Sequence, residues 1–213
     1  MSEIEKEERK ESTLKKIIKV ILWIVGVIGV LFIAMITFKP YAFHGAILQS
    51  PNPAQDFTLL NHYGQETSLS DYRGKVVLLY FGYAACPDVC PATLAEIKQA
   101  NDILKEEGRN DEMQFLMIMI DPERDTAERT ATFLAHFDPS FMGLLGEEEK
   151  VAQIATQYGI FYEKQESESA MGYLVDHTAT TILIDPDGYM RLMFAYGTEG
   201  ADMAADIIQV LDH

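Results

Sequence analysis

The sequence predicts an α/β protein, in which helices cover a mixed central sheet, preceded by one N-terminal transmembrane helix. The transmembrane helix is predicted from residues 20–38, which contain no charged side chain and are long enough to cross a bilayer core. The sheet is predicted from short apolar runs that alternate with amphipathic helical patterns from residue 56 onwards. A closing strand pair and a last helix complete that pattern.

The domain is organised around a buried strand, a turn and a helix. An apolar run rich in Val, Leu and aromatic residues predicts the strand, which ends at Gly82. Cys86 and Cys90, the only two cysteines in 213 residues, follow in the turn. Pro91 then opens a predicted helix, so both thiols lie at or just before a helix N-terminus, where the helix dipole favours the thiolate. This order predicts a thioredoxin-like sandwich, related to the peroxiredoxins.

The spacing of the two cysteines leaves their chemistry open. Three residues separate them, one more than in the Cys-x-x-Cys motif of thioredoxin-type proteins. The pair can still form a disulfide and act as a redox-active pair. Two soft sulfur ligands this close together also suit copper(I) or zinc, provided that a third ligand is present. A purely stabilising disulfide is less favoured, because disulfides stabilise most by closing long loops and this loop is very short.

Charges around the apolar stretch predict how the chain is placed in a membrane. Six Lys and Arg residues precede residue 20, whereas Lys39 is the only one between residue 20 and Arg73. The positive-inside rule therefore places the N-terminus in the cytoplasm and the rest of this single-pass chain outside the cell membrane, on its periplasmic or outer face. A cleaved signal peptide is the alternative. It is disfavoured because the stretch is longer than a signal h-region and no small-x-small cleavage site follows closely.

Four segments follow from these boundaries. Several prolines, among them Pro40, Pro51 and Pro53, indicate a linker between the membrane and the domain. The predicted segments are a cytoplasmic tail over residues 1–16, a transmembrane anchor over 17–38, a linker over 39–54 and the thioredoxin-like domain over 55–213.

The exported part of the chain is strongly acidic. Residues 40–213 contain 10 Lys and Arg against 28 Asp and Glu, a net charge of −18. Such a surface repels nucleic acid and favours a basic partner or a cation, so nucleic acid is excluded as a partner. Outside the cytoplasm a bare dithiol tends to oxidise, unless a partner reduces it or a metal holds it.

Local patterns predict the remaining elements. Asp125 followed by Glu128 predicts a helix start, and Gly108 and Gly159 predict helix ends. Residues 163–175 are polar and are predicted to form a loop or a hairpin that moves. The predicted strands cover residues 56–60, 76–82, 114–120, 141–145, 161–162, 180–184 and 189–196, and the predicted helices cover residues 91–107, 125–137, 147–159 and 199–211.

A single histidine is predicted to lie beside the dithiol. In a thioredoxin-like fold the loop before the third core strand lies next to the cysteines, and here that loop carries His177. Ala179 takes the position at which thioredoxins have a cis-proline, so the docking proline of a general disulfide oxidoreductase is missing. Two thiolates and one imidazole make a three-coordinate site suited to copper(I), and to copper(II) with a fourth ligand.

Other soft or imidazole side chains are weaker candidates. Met117 and Met119 alternate on one face of a predicted strand, which indicates core packing rather than metal binding. Met171 lies in the polar loop and is the methionine best placed to become a ligand. Three histidines lack a partner at ligand spacing and are predicted to be surface residues: His44, His62 and His136.

Several motifs together resemble one known family. These motifs are Phe81-Gly82-Tyr83, Cys86-Pro87-Asp88-Val89-Cys90-Pro91, Asp121-Pro122-Glu123-Arg124-Asp125-Thr126, and Asp176-His177-Thr178 followed by Asp185-Pro186-Asp187-Gly188. Over roughly residues 45–213 the chain resembles the Sco/SenC family of membrane-anchored copper proteins, which act in cytochrome c oxidase assembly.

The resemblance implies roles for individual residues. Cys86 and Cys90 match the copper-binding, redox-active pair of the family, and His177 matches the third copper ligand. Ala84 and Ala85 replace the common Thr-His or Thr-Ser of the family, a departure that affects the surroundings of the site rather than its ligands. Asp88 and Asp121 lie in matching motifs, and Asp88 is interpreted as orienting the loop or contacting a partner.

The resemblance also implies a function with alternatives. The chain is expected to be a metallochaperone rather than an enzyme, with one copper(I) or copper(II) ion bound per chain. It would deliver copper to the copper A site of cytochrome c oxidase subunit II by ligand exchange, while the polar segment 163–176 withdraws His177. The alternative is a thiol-disulfide reductase that keeps the copper A cysteines reduced. Other periplasmic copper carriers or thiol reductases are further expected partners, and a redox or copper sensor is the least favoured interpretation.

Overall fold

The computed structural model describes residues 3–37, 41–49, 52–166 and 172–213. The chain divides after Ala42 into two compact units. The first unit contains one long helix, α1 (Glu3–Thr37), and within it the segment Lys15–Ile33 is long and apolar enough to cross a membrane. Large apolar side chains along this segment are exposed, Trp23 among them, as expected for a helix whose surroundings are lipid rather than protein.

The second unit is an α/β sandwich. Its strands are β1 (Ala46–Ile47), β2 (Thr58–Asn61), β3 (Glu66–Ser68), β4 (Val76–Gly82), β5 (Met113–Met119), β6 (Met142–Leu145), β7 (Tyr162–Glu166), β8 (Tyr173–His177), β9 (Thr181–Ile184) and β10 (Met190–Phe194). Its helices are α2 (Val89–Glu106), α3 (Ala127–Ala135), α4 (Glu148–Gln157) and α5 (Gly200–Leu211).

Eight of these strands form one mixed sheet in the order β1-β10-β9-β4-β5-β6-β2-β3. Strands β4, β5 and β6 run parallel, whereas β9 pairs antiparallel with β4. The predicted mixed central sheet and thioredoxin-like class are therefore confirmed. Strands β7 and β8 lie outside this sheet and form a separate antiparallel ladder, in which Tyr162 is opposite His177.

Strand β4 and helix α2 both contribute to the buried core. All seven residues of β4 are buried, which is typical of a parallel strand covered on both faces. In α2 the buried apolar side chains recur at helical spacing, from Cys90 through Leu94 and Ile97 to Leu104. Cys90 is therefore the first residue of the face that α2 packs into the core, whereas Cys86 precedes the helix.

The folded unit begins earlier than the sequence pattern predicts. Ala46 and Ile47 pair with β10, and Ala54 is buried and donates its N–H to the Gly188 carbonyl at 2.9 Å. Ala46, Ile47 and Ala54, which were predicted to lie in a linker over residues 39–54, thus belong to the folded unit. A two-residue strand is too short to produce a recognisable period in sequence, and its pairing depends on β10, whose Leu192 and Met193 lie about 145 residues further along the chain.

Three other expectations are corrected. Helix α3 begins after Thr126, whose side chain accepts from the Arg129 N–H at 3.2 Å, while Asp125 is buried and does not cap the helix. Helix α2 begins at Val89, so Pro91 is its third residue and lies within the first turn, where a missing N–H is tolerated. His177 ends β8 instead of lying in a loop.

The polar segment before His177 is the hairpin of β7 and β8, one of the two forms predicted for residues 163–175. Met171 lies outside the described residues.

Candidate metal centre

The two thiols lie where the start of α2 meets the end of β4. Both cysteines are free thiols, with Cys86 9% exposed and Cys90 fully buried. The Cys90 N–H donates to Cys86 Sγ at 3.3 Å, so an amide of the first helical turn is directed at that sulfur. The helix N-terminus therefore stabilises negative charge on Cys86, as its position in sequence predicts.

The two thiols have different pKa values because their surroundings differ. The hydrogen bond from the Cys90 thiol lowers the pKa of Cys86 to about 5, against the opposing effect of burial, and the Cys90 and Asp88 amides lower it further. The same hydrogen bond raises the pKa of Cys90, and burial and the negative Cys86 sulfur add to that effect. The pair therefore carries one proton at neutral pH, with the thiolate on Cys86 and the proton on Cys90.

His177 is brought to the thiols by β8. Its Nε2 lies 3.6 Å from Cys90 Sγ, although 87 residues separate the two in sequence. Its Nδ1 lies 3.2 Å from the carbonyl oxygen of Val175, which only accepts hydrogen bonds, so Nδ1 carries the proton. The lone pair of Nε2 therefore points towards the dithiol, in the tautomer that a metal ligand needs.

Two tyrosines complete the site; Tyr83 belongs to one of the family motifs, but no role was predicted for either tyrosine. The Tyr80 hydroxyl lies 3.1 Å from His177 Nε2 and 3.7 Å from Cys90 Sγ. The Tyr83 hydroxyl accepts from the Val175 N–H at 3.2 Å, and burial raises its pKa to about 12. For Tyr80 the available signal was a tyrosine inside a strand of otherwise apolar residues, because a buried hydroxyl normally requires a partner.

Gly82 makes room for this arrangement. A Cβ at Gly82 would lie 2.9 Å from Cys90 Sγ and 2.8 Å from both Tyr80 Cε1 and Met117 Cε. These separations are shorter than van der Waals contact, so a side chain at this position would displace the thiol or the tyrosine. The glycine that ends the predicted strand thus serves the site directly.

The donor set fits a thiophilic metal. At metal–sulfur and metal–nitrogen distances of about 2.3 and 2.0 Å, a shared ion holds the two donors about 3.5–3.8 Å apart. The observed separation of 3.6 Å between Cys90 Sγ and His177 Nε2 lies in this range. Among the described residues, no group of three His, Cys, Asp or Glu side chains is already arranged to hold a metal. The preformed part is thus the Cys90–His177 pair, with Cys86 beside it.

Two of the three acidic residues near the site, Asp121 and Asp125, have structural partners. Asp88 precedes the first residue of α2 and is exposed, and its side chain makes no capping hydrogen bond. Asp121 is fully buried and forms an ion pair with Arg124. Asp125, 2% exposed, accepts from the Ala84 N–H at 3.1 Å, and burial raises its pKa to about 7. The sequence pattern predicted Asp125 as a helix start and gave no sign of this hydrogen bond to the turn that carries Cys86.

The other predicted candidates lie in different surroundings. Met117 and Met119 are buried in the core, as predicted. His62 is buried rather than at the surface, and its Nδ1 accepts from the Gly143 N–H at 3.1 Å. His44 contacts Asp206 at 3.0 Å, and His136 contacts the Thr132 carbonyl. Each of these histidines thus bonds to residues outside the dithiol site.

The chain is similar to known proteins over most of the folded unit. The profile of the family described as SCO1/SenC matches residues 46–212. The mitochondrial SCO1 homolog of Homo sapiens is 37% identical over 151 residues, which are 71% of this chain and 50% of that protein. The chain therefore spans about half the length of that relative.

Solved structures show the same fold. Apo Sco1 of Thermus thermophilus superimposes with a TM-score of 0.70 at 37% identity, covering 79% of this chain and 97% of that one. Arabidopsis thaliana ScoI with copper bound superimposes with a TM-score of 0.70 at 27% identity, covering 76% of this chain and 99% of that one. Copper is thus bound by members of this group. By the extent of the profile match and these relatives, the chain belongs to the SCO1/SenC family.

Proposed function

We propose that this chain is a membrane-anchored metallochaperone that delivers copper to the copper A site of cytochrome c oxidase subunit II. The proposed copper ligands are Cys86, Cys90 and His177. The observation that carries the proposal is the approach of His177 Nε2 to Cys90 Sγ at 3.6 Å, beside a second thiol of lowered pKa. Copper-bound structures of relatives support the choice of metal.

The residues of the site can bind copper and then transfer it to a recipient. Cys86 is already a thiolate at neutral pH, whereas Cys90 must lose its proton, so one proton is released for each ion bound. The Tyr80 hydroxyl must release His177 Nε2 before that nitrogen can bind the ion. Three donors leave a coordination position for an incoming thiolate of the recipient, so copper can pass by ligand exchange.

The anchor supports a location at a membrane surface. The apolar segment Lys15–Ile33 follows a basic N-terminal stretch, and the positive-inside rule places that stretch in the cytoplasm. We propose that the folded unit lies on the opposite face of the cell membrane, where it would meet the copper A domain of its recipient. Its net charge of −18 favours a recipient with a basic docking surface.

A thiol-disulfide reductase acting on the copper A cysteines is the second candidate, favoured by the different acidities of the thiols. Cys86 has the low pKa of an attacking thiol, and Cys90 is positioned to resolve a mixed disulfide. The Cys86 thiolate would attack a disulfide of the partner and release one partner thiolate. Cys90, after losing its proton, would then displace the second, leaving a Cys86–Cys90 disulfide and a reduced partner. This reaction does not require His177.

A copper titration separates the two candidates. The full chain in detergent micelles, reduced and free of oxygen, would be titrated with copper(I) against a competing chelator. Wild type would be compared with His177→Ala and with the double variant Cys86→Ser, Cys90→Ser. One tight equivalent that is weakened without His177 and abolished without both thiols supports the metallochaperone. Weak binding that is indifferent to His177, with a readily reduced Cys86–Cys90 disulfide, supports the reductase instead.

A further inference from the structure

His177 is carried by a hairpin that lies outside the main sheet. Strands β7 and β8 form their own two-stranded ladder, whereas the cysteines follow β4 at the centre of the eight-stranded sheet. Main-sheet hydrogen bonds therefore do not set the position of β8 relative to α2. The short connection from His177 to Thr181 of β9 restrains one end of β8, and side-chain contacts between the hairpin and the rest of the domain must fix the other end.

The strongest of these contacts converge on Tyr173, the first residue of β8. Its hydroxyl lies 2.6 Å from Asp121 Oδ1 and 3.1 Å from Glu123 Oε2. Its carbonyl oxygen accepts from Arg124 at 2.9 Å, and the Arg124 guanidinium lies 3.7 Å from the centre of the tyrosine ring. Lys164 of β7 lies 5.6 Å from that ring centre and forms an ion pair with Glu123 at 2.9 Å.

Burial makes part of this cluster strong. Asp121 is fully buried and forms an ion pair with Arg124, whose side chain is only 17% exposed. A hydrogen bond from a hydroxyl to a buried carboxylate is charge-assisted, and a guanidinium over an aromatic face adds cation–π attraction. The Lys164–Glu123 pair is more exposed and contributes less. Tyr173 is thus held mainly by Asp121 and Arg124.

Strand β8 connects Tyr173, which is held in place, to His177 at the site. Residues at alternate positions of a strand lie on the same face, so Tyr173, Val175 and His177 share one side of β8. The Val175 N–H is held by the Tyr83 hydroxyl at 3.2 Å. A strand fixed at its first and third residues places its fifth, His177, beside Cys90.

We infer that Tyr173 and the segment Asp121–Arg124 form a clasp that positions His177 against the thiols and so sets the copper affinity of the site. The inference rests on the proposed function, because it assumes that His177 is a copper ligand. Tyr173 is a positioning residue: it contacts neither thiol and acts through β8. Through the clasp, the Asp-Pro-Glu-Arg segment after β5 affects copper binding, although its residues are not ligands.

Tyr173→Phe tests the clasp, because it removes the hydroxyl and keeps the ring over Arg124. Tyr162→Phe is the matched control: it is the same substitution in the same hairpin, directly opposite His177, and the buried Tyr162 hydroxyl has no hydrogen-bond partner among the described residues. The full chain would be titrated with copper(I) against a chelator. We expect Tyr173→Phe to weaken binding by about 10- to 100-fold, the usual effect of losing support for a metal ligand, and Tyr162→Phe to leave binding within about twofold.

A double-mutant cycle distinguishes positioning from general damage to the fold. In the His177→Ala background, Tyr173→Phe should cause no further loss of copper affinity, because its effect passes through His177. Glu123→Gln, a mild change at an exposed carboxylate, should weaken copper binding in the same direction by about 2- to 5-fold. Amide exchange at residues 175 and 177 should become faster in Tyr173→Phe while exchange in β4 stays unchanged.

Each outcome decides the inference. Unchanged copper affinity in Tyr173→Phe, or an equal loss with and without His177, overturns the clasp while the proposed ligand set stands. Wild-type binding that does not depend on His177 overturns the proposed ligand set and the clasp together. If Tyr173→Phe does not fold, the result for Glu123→Gln decides, and its unchanged affinity counts against the clasp.

Discussion

Replacing Cys90 by alanine is expected to raise the pKa of the Cys86 thiol by about 1–2 units. The Cys90 thiol donates to Cys86, and this hydrogen bond is the main reason why the pKa of Cys86 lies at about 5 rather than near 9. A hydrogen bond to a charged acceptor contributes about 1.5–3 kcal/mol, and one pKa unit corresponds to about 1.36 kcal/mol. Cys90→Ser retains a donor at the same position and is expected to leave the pKa near its wild-type value.

Alkylation kinetics measure this pKa directly. Because the chain has only two cysteines, either Cys90 variant leaves Cys86 as the single thiol, and the rate of reaction with iodoacetamide reports on it alone. The metal-free, reduced protein would be reacted between about pH 4 and pH 9. In Cys90→Ser the rate should approach its plateau above about pH 6, and in Cys90→Ala the midpoint should move towards about pH 6–7.

Two results would refute this reasoning. Equal midpoints for the alanine and serine variants would show that the Cys90 donor does not control the acidity of Cys86. A midpoint above about pH 8 in the serine variant would show that neither the donor nor the amides of the first turn of α2 stabilise the thiolate.

Two further predictions concern residues around the site. Tyr80→Phe should tighten copper(I) binding by about 2- to 10-fold in a chelator titration, because the hydroxyl that lies 3.1 Å from His177 Nε2 no longer competes with the metal; weaker binding would contradict this. Wild type is expected to lose stability as the pH rises because Asp125 becomes ionised, and Asp125→Asn should not show this loss. Burial raises the pKa of Asp125 from about 3.8 to about 7, so its contribution is fully present below about pH 4 and is lost as the pH rises through about 7. In urea unfolding the variant should therefore gain a few kcal/mol on wild type between these two pH values, and a constant difference would count against the assignment.

Most of the fold was predictable because the information is local. The apolar run of β4, the helical spacing of buried residues in α2 and the glycines that end helices produce patterns within a few residues of one another. The alternation of such patterns predicted the mixed sheet, and the uncharged stretch before them predicted a long apolar helix. The cysteine pair was also visible, because both thiols belong to one turn at the start of a helix.

The sequence by itself therefore determined the α/β class, the long apolar N-terminal helix and the placement of Cys86 and Cys90 at a helix N-terminus. Its motifs also predicted that His177 lies beside the two cysteines. Only the tertiary structure decided which thiol is the thiolate, because that depends on the hydrogen bond from Cys90 and on how deeply each sulfur is buried. It also decided the roles of Tyr80 and Tyr173, whose partners lie up to 97 residues away in sequence. Such contacts leave no local period, because they depend on how separate elements pack in three dimensions.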